Sequence, residues 1–120
     1  MKKIALVGVG KMGMSHVAIA NMTEGMSVVA LCDTSSFLMK FFNKNTAFEC
    51  FTDYKKMLNK IEFDSVIVSV PNAFHFEIVR FFLDNGKDVF IEKPFTMSYK
   101  HSNELIDLAR SKNLKLQVGY

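Results

Sequence analysis

Short apolar runs alternate along the chain with segments that repeat apolar residues at helical spacing. The strand-like runs are residues 4–7, 28–32, 65–70 and 89–91, with a weaker candidate at 48–51. These runs look buried on both faces, as strands of a parallel sheet covered by helices must be. A last run, residues 114–120, alternates apolar with polar positions and predicts a strand at the edge of the sheet.

Five helices are predicted between these strands, each with one apolar face. We expect Gly86 to close the fourth helix and Ser98 to open the fifth. Strict alternation of strand and helix predicts a doubly wound α/β domain with a mainly parallel sheet, helices on both faces, and one domain over residues 1–120. The apolar stripes are Met14, Val17, Ala18 and Met22; Leu38, Phe41 and Phe42; Tyr54, Met57, Leu58 and Ile61; Phe74, Ile78, Phe81 and Phe82; and Leu105, Leu108 and Ala109.

Charge and composition exclude several classes of protein. The 15 basic and 12 acidic residues are scattered along the chain, which does not favour a nucleic-acid partner. No run approaches the roughly 20 apolar residues of a membrane span, and Lys11 interrupts the first apolar run where a signal peptide would continue. We therefore expect a soluble, cytoplasmic protein without a membrane partner.

The two cysteines, Cys32 and Cys50, lack the spacing of metal ligands, so no metal site is expected. Both fall in predicted strands that can lie side by side, which by itself does not establish a disulfide bridge. We interpret them as reduced thiols of the core.

A glycine motif lies where the first strand turns into the first helix. Residues 8–13 read Gly-Val-Gly-Lys-Met-Gly, the Gly-x-Gly-x-x-Gly pattern of dinucleotide-binding proteins. Gly8 permits the tight turn, Gly10 lets the backbone approach a pyrophosphate, and Gly13 lets helix and strand pack closely. The helix N-terminus then offers N–H groups and its positive dipole to the phosphates, so Lys11 and Met12 are expected contacts as well.

Asp33 strengthens this reading because it ends the second strand, 20 residues after Gly13. A carboxylate there accepts hydrogen bonds from the ribose hydroxyls of the adenosine and repels a 2′-phosphate, so NAD is favoured over NADP. Asp33 is also a good cap for the following helix. S-adenosylmethionine uses a similar turn and acid, but the third glycine favours a dinucleotide.

Further motifs, taken with these, resemble the glucose-fructose oxidoreductase and inositol dehydrogenase family, Gfo/Idh/MocA. The opening segment with His16, the pair Pro71-Asn72 with His75, the tripeptide Glu92-Lys93-Pro94 and the closing residues 117–120 are similar to that family in order and spacing. The resemblance spans essentially the whole chain. It implies a Rossmann domain that binds NAD, and hydride transfer to or from a secondary alcohol or carbonyl, as on a sugar or cyclitol.

The resemblance implies a catalytic role for Lys93 beside the nicotinamide, where its ammonium hydrogen-bonds the substrate oxygen. Cofactor contacts are implied for Pro71, Asn72, His75, Glu92 and Lys93, all near strand ends where ligands of open α/β sheets bind. His16 is a cofactor contact at most. Asn72 is also a candidate N-cap of the fourth helix, and similar proteins suggest a cis peptide bond before Pro94.

Family members normally continue into a second α/β domain that forms the substrate site. We expect that domain and a general acid or base to be missing from these 120 residues. Two hypotheses stay open: the cofactor half of an oxidoreductase, or a free-standing dinucleotide-binding or interaction module without chemistry. The uncovered edge strand also predicts self-association.

Overall fold

Six strands form one parallel sheet in the order β3-β2-β1-β4-β5-β6, which confirms the predicted fold class. The structure is a computed structural model that describes residues 1–119, with all side chains in that range except those of residues 11–13. The strands are β1 (Lys2–Val7), β2 (Met26–Cys32), β3 (Glu49–Phe51), β4 (Ser65–Val68), β5 (Asp88–Glu92) and β6 (Leu116–Gly119). The helices are α1 (Lys11–Met22), α2 (Ser36–Asn45), α3 (Tyr54–Lys60), α4 (His75–Asp84) and α5 (Tyr99–Ser111).

Side chains on the two faces of the sheet pack into two separate clusters. On one face, Ala5, Val66 and Val89 pack with residues of α3, α4 and α5, including the fully buried Phe82 and Leu105. On the other face, Ile4, Leu6 and Leu31 pack with residues of α1 and α2. Burial of apolar surface on both faces is what makes a parallel sheet of this kind stable.

The second face is covered only in part. β1 is buried from Ile4 to Val7, whereas Ile67 of β4 and Phe90 of β5 are half-buried on the α1 side. Beside α1 an apolar groove of about 370 Å³ passes over these residues. The prediction of strands buried on both faces therefore holds for β1 and β2 but was wrong for β4 and β5.

Most predicted helix ends are confirmed. Ser98 caps α5 by accepting a hydrogen bond from the His101 N–H at 3.1 Å, and Gly86 follows α4 with a φ of 77°. The predicted face of α1 is confirmed only at Val17: Val17 and Ala20 are buried, whereas Met14, Ala18 and Met22 are exposed. At the other end of the sheet order, β6 lies at the edge as predicted, and the predicted end of that strand at Tyr120 lies outside the described residues.

Cys32 and Cys50 lie on adjacent strands but are both free. The partner of Cys50 in the β2–β3 register is Leu31, so the two thiols belong to the clusters on opposite faces of the sheet. A bridge between them is excluded in this fold, and the prediction of reduced thiols is confirmed. None of the helices in the described part of the chain combines the length and apolarity needed to cross a bilayer.

Candidate functional site

The glycine loop, residues 8–13, leads from the end of β1 into α1. Gly8 has a φ of 95°, and a Cβ atom there would lie 2.0 Å from the carbonyl oxygen of Ser69 on the neighbouring strand end. Both features require glycine, because other residues are strained at positive φ and a backbone oxygen cannot move aside. Gly8 is therefore the residue that lets β1 and the end of β4 come this close together.

Gly10 has the opposite environment. It precedes the first residue of α1, and a Cβ atom added to it would meet nothing within 4 Å. The N–H groups of the first helical turn have no acceptor within the helix, so this open space lies next to donors and the positive end of the helix dipole. An anionic pyrophosphate fits such a place. The predictions for the side chains of Lys11, Met12 and Gly13 lie outside the side chains that the structure describes.

The Asp33 carboxylate links the end of β2 to the glycine loop. Its Oδ2 accepts a hydrogen bond from the Val9 N–H at 2.8 Å, and its Oδ1 accepts one from the Ser35 N–H at 2.9 Å. The capping residue of α2 is Ser35, whose Oγ accepts from the Leu38 N–H, so Asp33 supports the helix start without being its cap. Each carboxylate oxygen has a second lone pair for a ribose hydroxyl.

A cleft of about 530 Å³ opens at the carboxyl ends of β1, β2 and β4. The neighbours of β1 in the sheet are β2 and β4, whose connections run in opposite directions, and ligands of doubly wound sheets bind at such a reversal. The cleft brings together Gly8, Gly10, Asp33 and Pro71 of the predicted set. Its other lining residues are Val7, Cys32, Thr34, Thr52, Tyr54, Ser69, Val70, Phe74, Glu77 and Ile78.

Sequence reasoning missed Tyr54, Phe74 and Glu77 as cleft residues. The helical period predicts both Tyr54 and Phe74 on apolar helix faces. Phe74 is instead 52% exposed where it borders the cleft. Its place three residues after Pro71, directly beyond β4, was the signal that could have identified it. Phe74 adds an aromatic wall to the cleft.

Two ionisable side chains of the cleft are held in their neutral forms. Burial, followed by the nearby Asp33 and Asp53 carboxylates, raises the pKa of the Cys32 thiol to about 12. Burial, followed by Glu77, Asp53 and Cys32, also raises the pKa of Tyr54. Because the thiolate is the nucleophilic form of cysteine, Cys32 is an inert part of the cleft floor at neutral pH.

The residues after β4 form a 3-10 turn, Asn72–Phe74, that leads into α4. Pro71 and Asn72 are exposed at its start. The prediction that Asn72 caps the helix was wrong, because the residue preceding α4 is Phe74 and no side chain caps either the turn or the helix. The Asn72 side chain has no hydrogen-bond partner within residues 1–119, which leaves its amide group accessible.

His75 occupies a different place from the one expected for a cofactor contact. Its side chain is 1% exposed, and its ring nitrogens face backbone carbonyl groups at the ends of β4 and β5. It does not line the cleft. A residue this deeply buried cannot touch a ligand bound at the surface of the sheet edge.

Glu92 and Lys93 lie at the carboxyl end of β5. The Glu92 carboxylate is hydrogen-bonded to Nε2 of His16 from α1, and the His16 ring packs edge-on against Phe90 with ring centroids 5.3 Å apart. Lys93 is exposed, and the Lys93–Pro94 peptide bond is cis, as similar proteins suggested. Helix α1 therefore begins at the glycine loop and, through His16, also contacts the end of β5 next to Lys93.

The predicted site residues thus lie along a single edge of the sheet, at the ends of β1, β2, β4 and β5. The glycine loop, Asp33 and Pro71 surround the cleft, and Glu92 and Lys93 follow two strand positions further along from β1. The N–H groups at the start of α1 can donate hydrogen bonds to a pyrophosphate, and the Asp33 carboxylate can accept them from a ribose. Together with the apolar cleft, these groups fit the pyrophosphate and adenosine of a dinucleotide. No group of three or more potential metal ligands is present among the side chains that the structure describes.

Comparison with known proteins gives a consistent result. The model of the Gfo/Idh/MocA oxidoreductase family, NAD-binding Rossmann fold, matches residues 2–120. Inositol 2-dehydrogenase of Salmonella typhimurium is 30% identical over 123 residues, which cover 98% of this chain and 36% of that protein. An uncharacterised oxidoreductase of Bacillus subtilis is 26% identical over 116 residues, which cover 96% of this chain and 34% of that protein.

A solved structure agrees with these relatives. The scyllo-inositol dehydrogenase of Lactobacillus casei, crystallised with bound NAD(H) and scyllo-inositol, superposes with a TM-score of 0.90 at 27% identity. The match covers 99% of this chain and 36% of that one. The chain therefore spans about a third of the length of the relatives it matches, and the matched third is their NAD-binding domain.

Proposed function

This chain belongs to the Gfo/Idh/MocA oxidoreductase family, and on that premise we propose that it is the cofactor half of a dehydrogenase. The proposed reaction is hydride transfer between the nicotinamide and a secondary alcohol or carbonyl group of a sugar or cyclitol. The observation that carries the proposal is the shared sheet edge, where the dinucleotide cleft and Lys93 lie at the ends of neighbouring strands. When bound, NAD supplies or accepts the hydride.

The residues of the cleft hold one half of the cofactor. Backbone N–H groups of residues 8–13 bind the pyrophosphate, with Gly8 and Gly10 giving the backbone its close approach. The Asp33 carboxylate accepts hydrogen bonds from the hydroxyls of the adenosine ribose. Its orientation is set by the hydrogen bonds that it accepts from the Val9 and Ser35 N–H groups. A 2′-phosphate would meet this carboxylate, so we expect NAD to bind more tightly than NADP.

The other half of the cofactor lies toward Pro71, Asn72, Glu92 and Lys93. The exposed amide of Asn72 is available to orient the second ribose, and the Glu92 carboxylate is available to orient the nicotinamide. Holding the ring in one orientation lowers the barrier to hydride transfer, because the reacting atoms no longer have to find each other.

Lys93 acts on the substrate oxygen. Its ammonium donates a hydrogen bond to the oxygen whose carbon gives or receives hydride and stabilises the alkoxide charge that develops there. In these 120 residues the Lys93 side chain is exposed to solvent, where water weakens such an interaction. We therefore propose that substrate binds only when a second domain covers this end of the site and brings the general acid or base.

The substrate class follows from the relatives. The Salmonella relative is an inositol 2-dehydrogenase, and the Lactobacillus structure holds scyllo-inositol. Inositols carry secondary alcohols, and the proposed position of Lys93 allows its ammonium to hydrogen-bond the oxygen of such a group.

The free thiols of Cys32 and Cys50 favour a reducing compartment, and we propose a cytoplasmic location. The partly covered face beside α1 and the edge strand β6 suggest self-association. Light scattering at increasing protein concentration checks this, and a mass that stays at 13.6 kDa contradicts it.

The first experiment is equilibrium binding. We expect NADH, followed by its fluorescence, to bind more tightly than S-adenosylmethionine or NADPH, and tighter binding of S-adenosylmethionine would overturn the proposal. Turnover of NAD with a panel of polyols and sugars then separates the two hypotheses for this chain. Activity that Lys93→Met abolishes excludes a module without chemistry, whereas binding without turnover restricts the chemistry to a longer protein.

A further inference from the structure

His75 is the one polar or charged residue classed as buried among the side chains that the structure describes. It is the first residue of α4, and its ring lies between the ends of β4 and β5. Burying an imidazole at this depth costs free energy unless its nitrogens are hydrogen-bonded. The position of the ring therefore depends on its partners.

The partners of His75 belong to two different strand ends. Nδ1 lies 2.8 Å from the carbonyl oxygen of Pro94 and 3.0 Å from that of Phe95, both beyond β5. Nε2 lies 2.9 Å from the carbonyl oxygen of Val70, beyond β4. Carbonyl oxygens only accept hydrogen bonds, and a neutral imidazole carries one N–H, so the ring donates on one side only; the tautomer with its proton on Nδ1 donates to the Pro94 and Phe95 carbonyl groups. The ring thus lies between two neighbouring connections at the functional edge of the sheet.

Residues 93–95, which we call the lysine segment, lie against this ring. The Pro94 and Phe95 carbonyl groups are hydrogen-bonded to His75, and the backbone before them adjoins the parallel pairing of Glu92 with Gly119 in β6. The preceding residue, Glu92, is still paired with β6 and bound to His16, and the Phe95 side chain packs against the core. β6 and His16 therefore hold the chain before Lys93, and His75 is the polar side chain that holds the backbone directly after it.

We propose that His75 is a positioning residue for Lys93: it holds the lysine segment against the end of β4 and touches neither cofactor nor substrate. This inference rests on the proposed function, in which Lys93 lies beside the nicotinamide. A long flexible lysine side chain reaches one point reliably only when its backbone is held, which is how a residue behind the site can affect chemistry in front of it.

The test compares two ligands on the complete 120-residue chain. ADP-ribose occupies the cleft but lacks the nicotinamide, so the ratio of NADH affinity to ADP-ribose affinity reports on the Lys93 end of the site alone. The proteins are the wild type and the variants His75→Phe, His75→Gln and Lys93→Met, titrated by calorimetry. His101→Phe is the matched control, because His101 stacks on Phe76 and a phenyl ring keeps that stack.

We expect His75→Phe, which keeps the ring shape but donates no hydrogen bond, to lower the ratio about five- to tenfold, the usual effect of one buried hydrogen bond. His75→Gln retains a donor and should recover part of the loss. Lys93→Met should lower the ratio similarly, and the double variant should show no further loss, because His75 acts through Lys93. The ratio of His101→Phe should equal that of the wild type.

The outcomes separate the two proposals. An unchanged ratio in Lys93→Met contradicts the place of Lys93 beside the nicotinamide, and the inference about His75 fails with it. A lowered ratio in Lys93→Met with an unchanged ratio in His75→Phe overturns the inference alone. Equal loss of both ligands in His75→Phe, or full additivity in the double variant, also overturns it, because His75 then acts on the fold in general.

A measurement on the wild type covers the case in which the His75 variants do not fold. In nitrogen-15 histidine spectra we expect one slowly exchanging ring N–H, assigned to His75, whose signal NADH shifts more than ADP-ribose does. Fast exchange of the ring protons of all three histidines, or equal shifts by both ligands, would overturn the proposal.

Discussion

The two ends of the candidate site are built by different means. At the cleft end, the shape depends on backbone: Gly8 packs against Ser69, and Asp33 accepts hydrogen bonds from main-chain N–H groups. At the lysine end, side-chain contacts hold the backbone: His16 is hydrogen-bonded to Glu92, and His75 lies behind the lysine segment. Lys93 itself is exposed. The cleft is therefore part of the core of this domain, whereas the lysine end is held by a few side-chain contacts and is exposed in the described part of the chain.

Because the two ends are built differently, substitutions at them should differ in their effects on stability and on the affinities of different ligands. A change at the cleft end should reduce stability and weaken every ligand that carries an adenosine diphosphate. A change at the lysine end should leave the fold nearly intact and affect only ligands with a nicotinamide. Four predictions test this, beginning with the largest expected effect.

Gly8→Ala should reduce the free energy of unfolding by at least about 3 kcal/mol, because it combines a positive φ with a clash against the Ser69 oxygen. Gly25→Ala is the matched control, since Gly25 has a φ of 84° but open space around the added Cβ. We expect a loss of about 1 kcal/mol there, from backbone strain alone. Urea unfolding measures both values, and equal losses would contradict the close approach at Gly8.

Asp33→Ala should weaken NADH and ADP-ribose alike, by about ten- to a hundredfold, because the charged acceptor for the ribose is lost. The buried Val9 N–H also loses its partner, which should cost about 1–3 kcal/mol of stability. Asp53→Ala serves as the control, because Asp53 accepts the Lys55 N–H at the start of α3 in the same manner. Its ligand affinities should stay at the wild-type value. A selective loss of NADH in Asp33→Ala would place Asp33 at the wrong end of the site.

Cys32 should make the cleft end sensitive to alkaline pH. The pKa of its thiol is raised from its ordinary value of 9.0 to about 12 in the folded protein, chiefly by burial. Its contribution to stability is therefore fully present below pH 9 and is lost as the pH rises toward 12. The stability difference between the wild type and Cys32→Ala should shrink with pH, by about 1–3 kcal/mol between pH 9 and 11. Urea unfolding at several pH values measures it, and a constant difference would contradict a buried, protonated thiol.

His16→Leu should have the smallest effect, a two- to fivefold loss of NADH affinity, about what one partly buried hydrogen bond contributes. The affinity for ADP-ribose should not change, because Glu92 lies at the lysine end. Arg80→Leu removes the exposed Arg80–Asp84 pair on α4, 3.8 Å apart, and should alter neither affinity. If His16→Leu weakened both ligands equally, α1 would transmit the change to the glycine loop, and the two ends would not be independent.

The features that sequence predicted correctly are those that local physics determines. The apolar runs identified all six strands, and the caps at Gly86 and Ser98 ended and began their helices as expected. Gly8, Gly10 and Asp33 line one cleft because each lies at or just beyond a strand end on the same edge of the sheet, and their contacts with a cofactor stay a prediction. Such patterns depend on residues that are close together in the chain, so they can be recognised in the sequence.

The features that the sequence predicted wrongly depend on which element packs against a residue in the folded domain. Met14 and Ala18 share a helical stripe but face away from the sheet, because Val17 and Ala20 are the residues of α1 that meet β1 and β2. Phe74 matched the stripe of α4, yet it belongs to the 3-10 turn beside the cleft. Periodicity identifies an apolar face without saying what covers it.

By itself the sequence determined the alternation of strands and helices, the glycine loop and the acid that accompanies it, because hydrophobic period and turn chemistry are local properties. Only the tertiary structure decided where His16 and His75 lie and which groups they contact. Both histidines looked like possible cofactor contacts, and parallel packing placed one beside Glu92 and buried the other behind the lysine segment. Their roles depend on the distance between strand ends far apart in the chain, and that distance is determined only when the sheet assembles and buries its two faces.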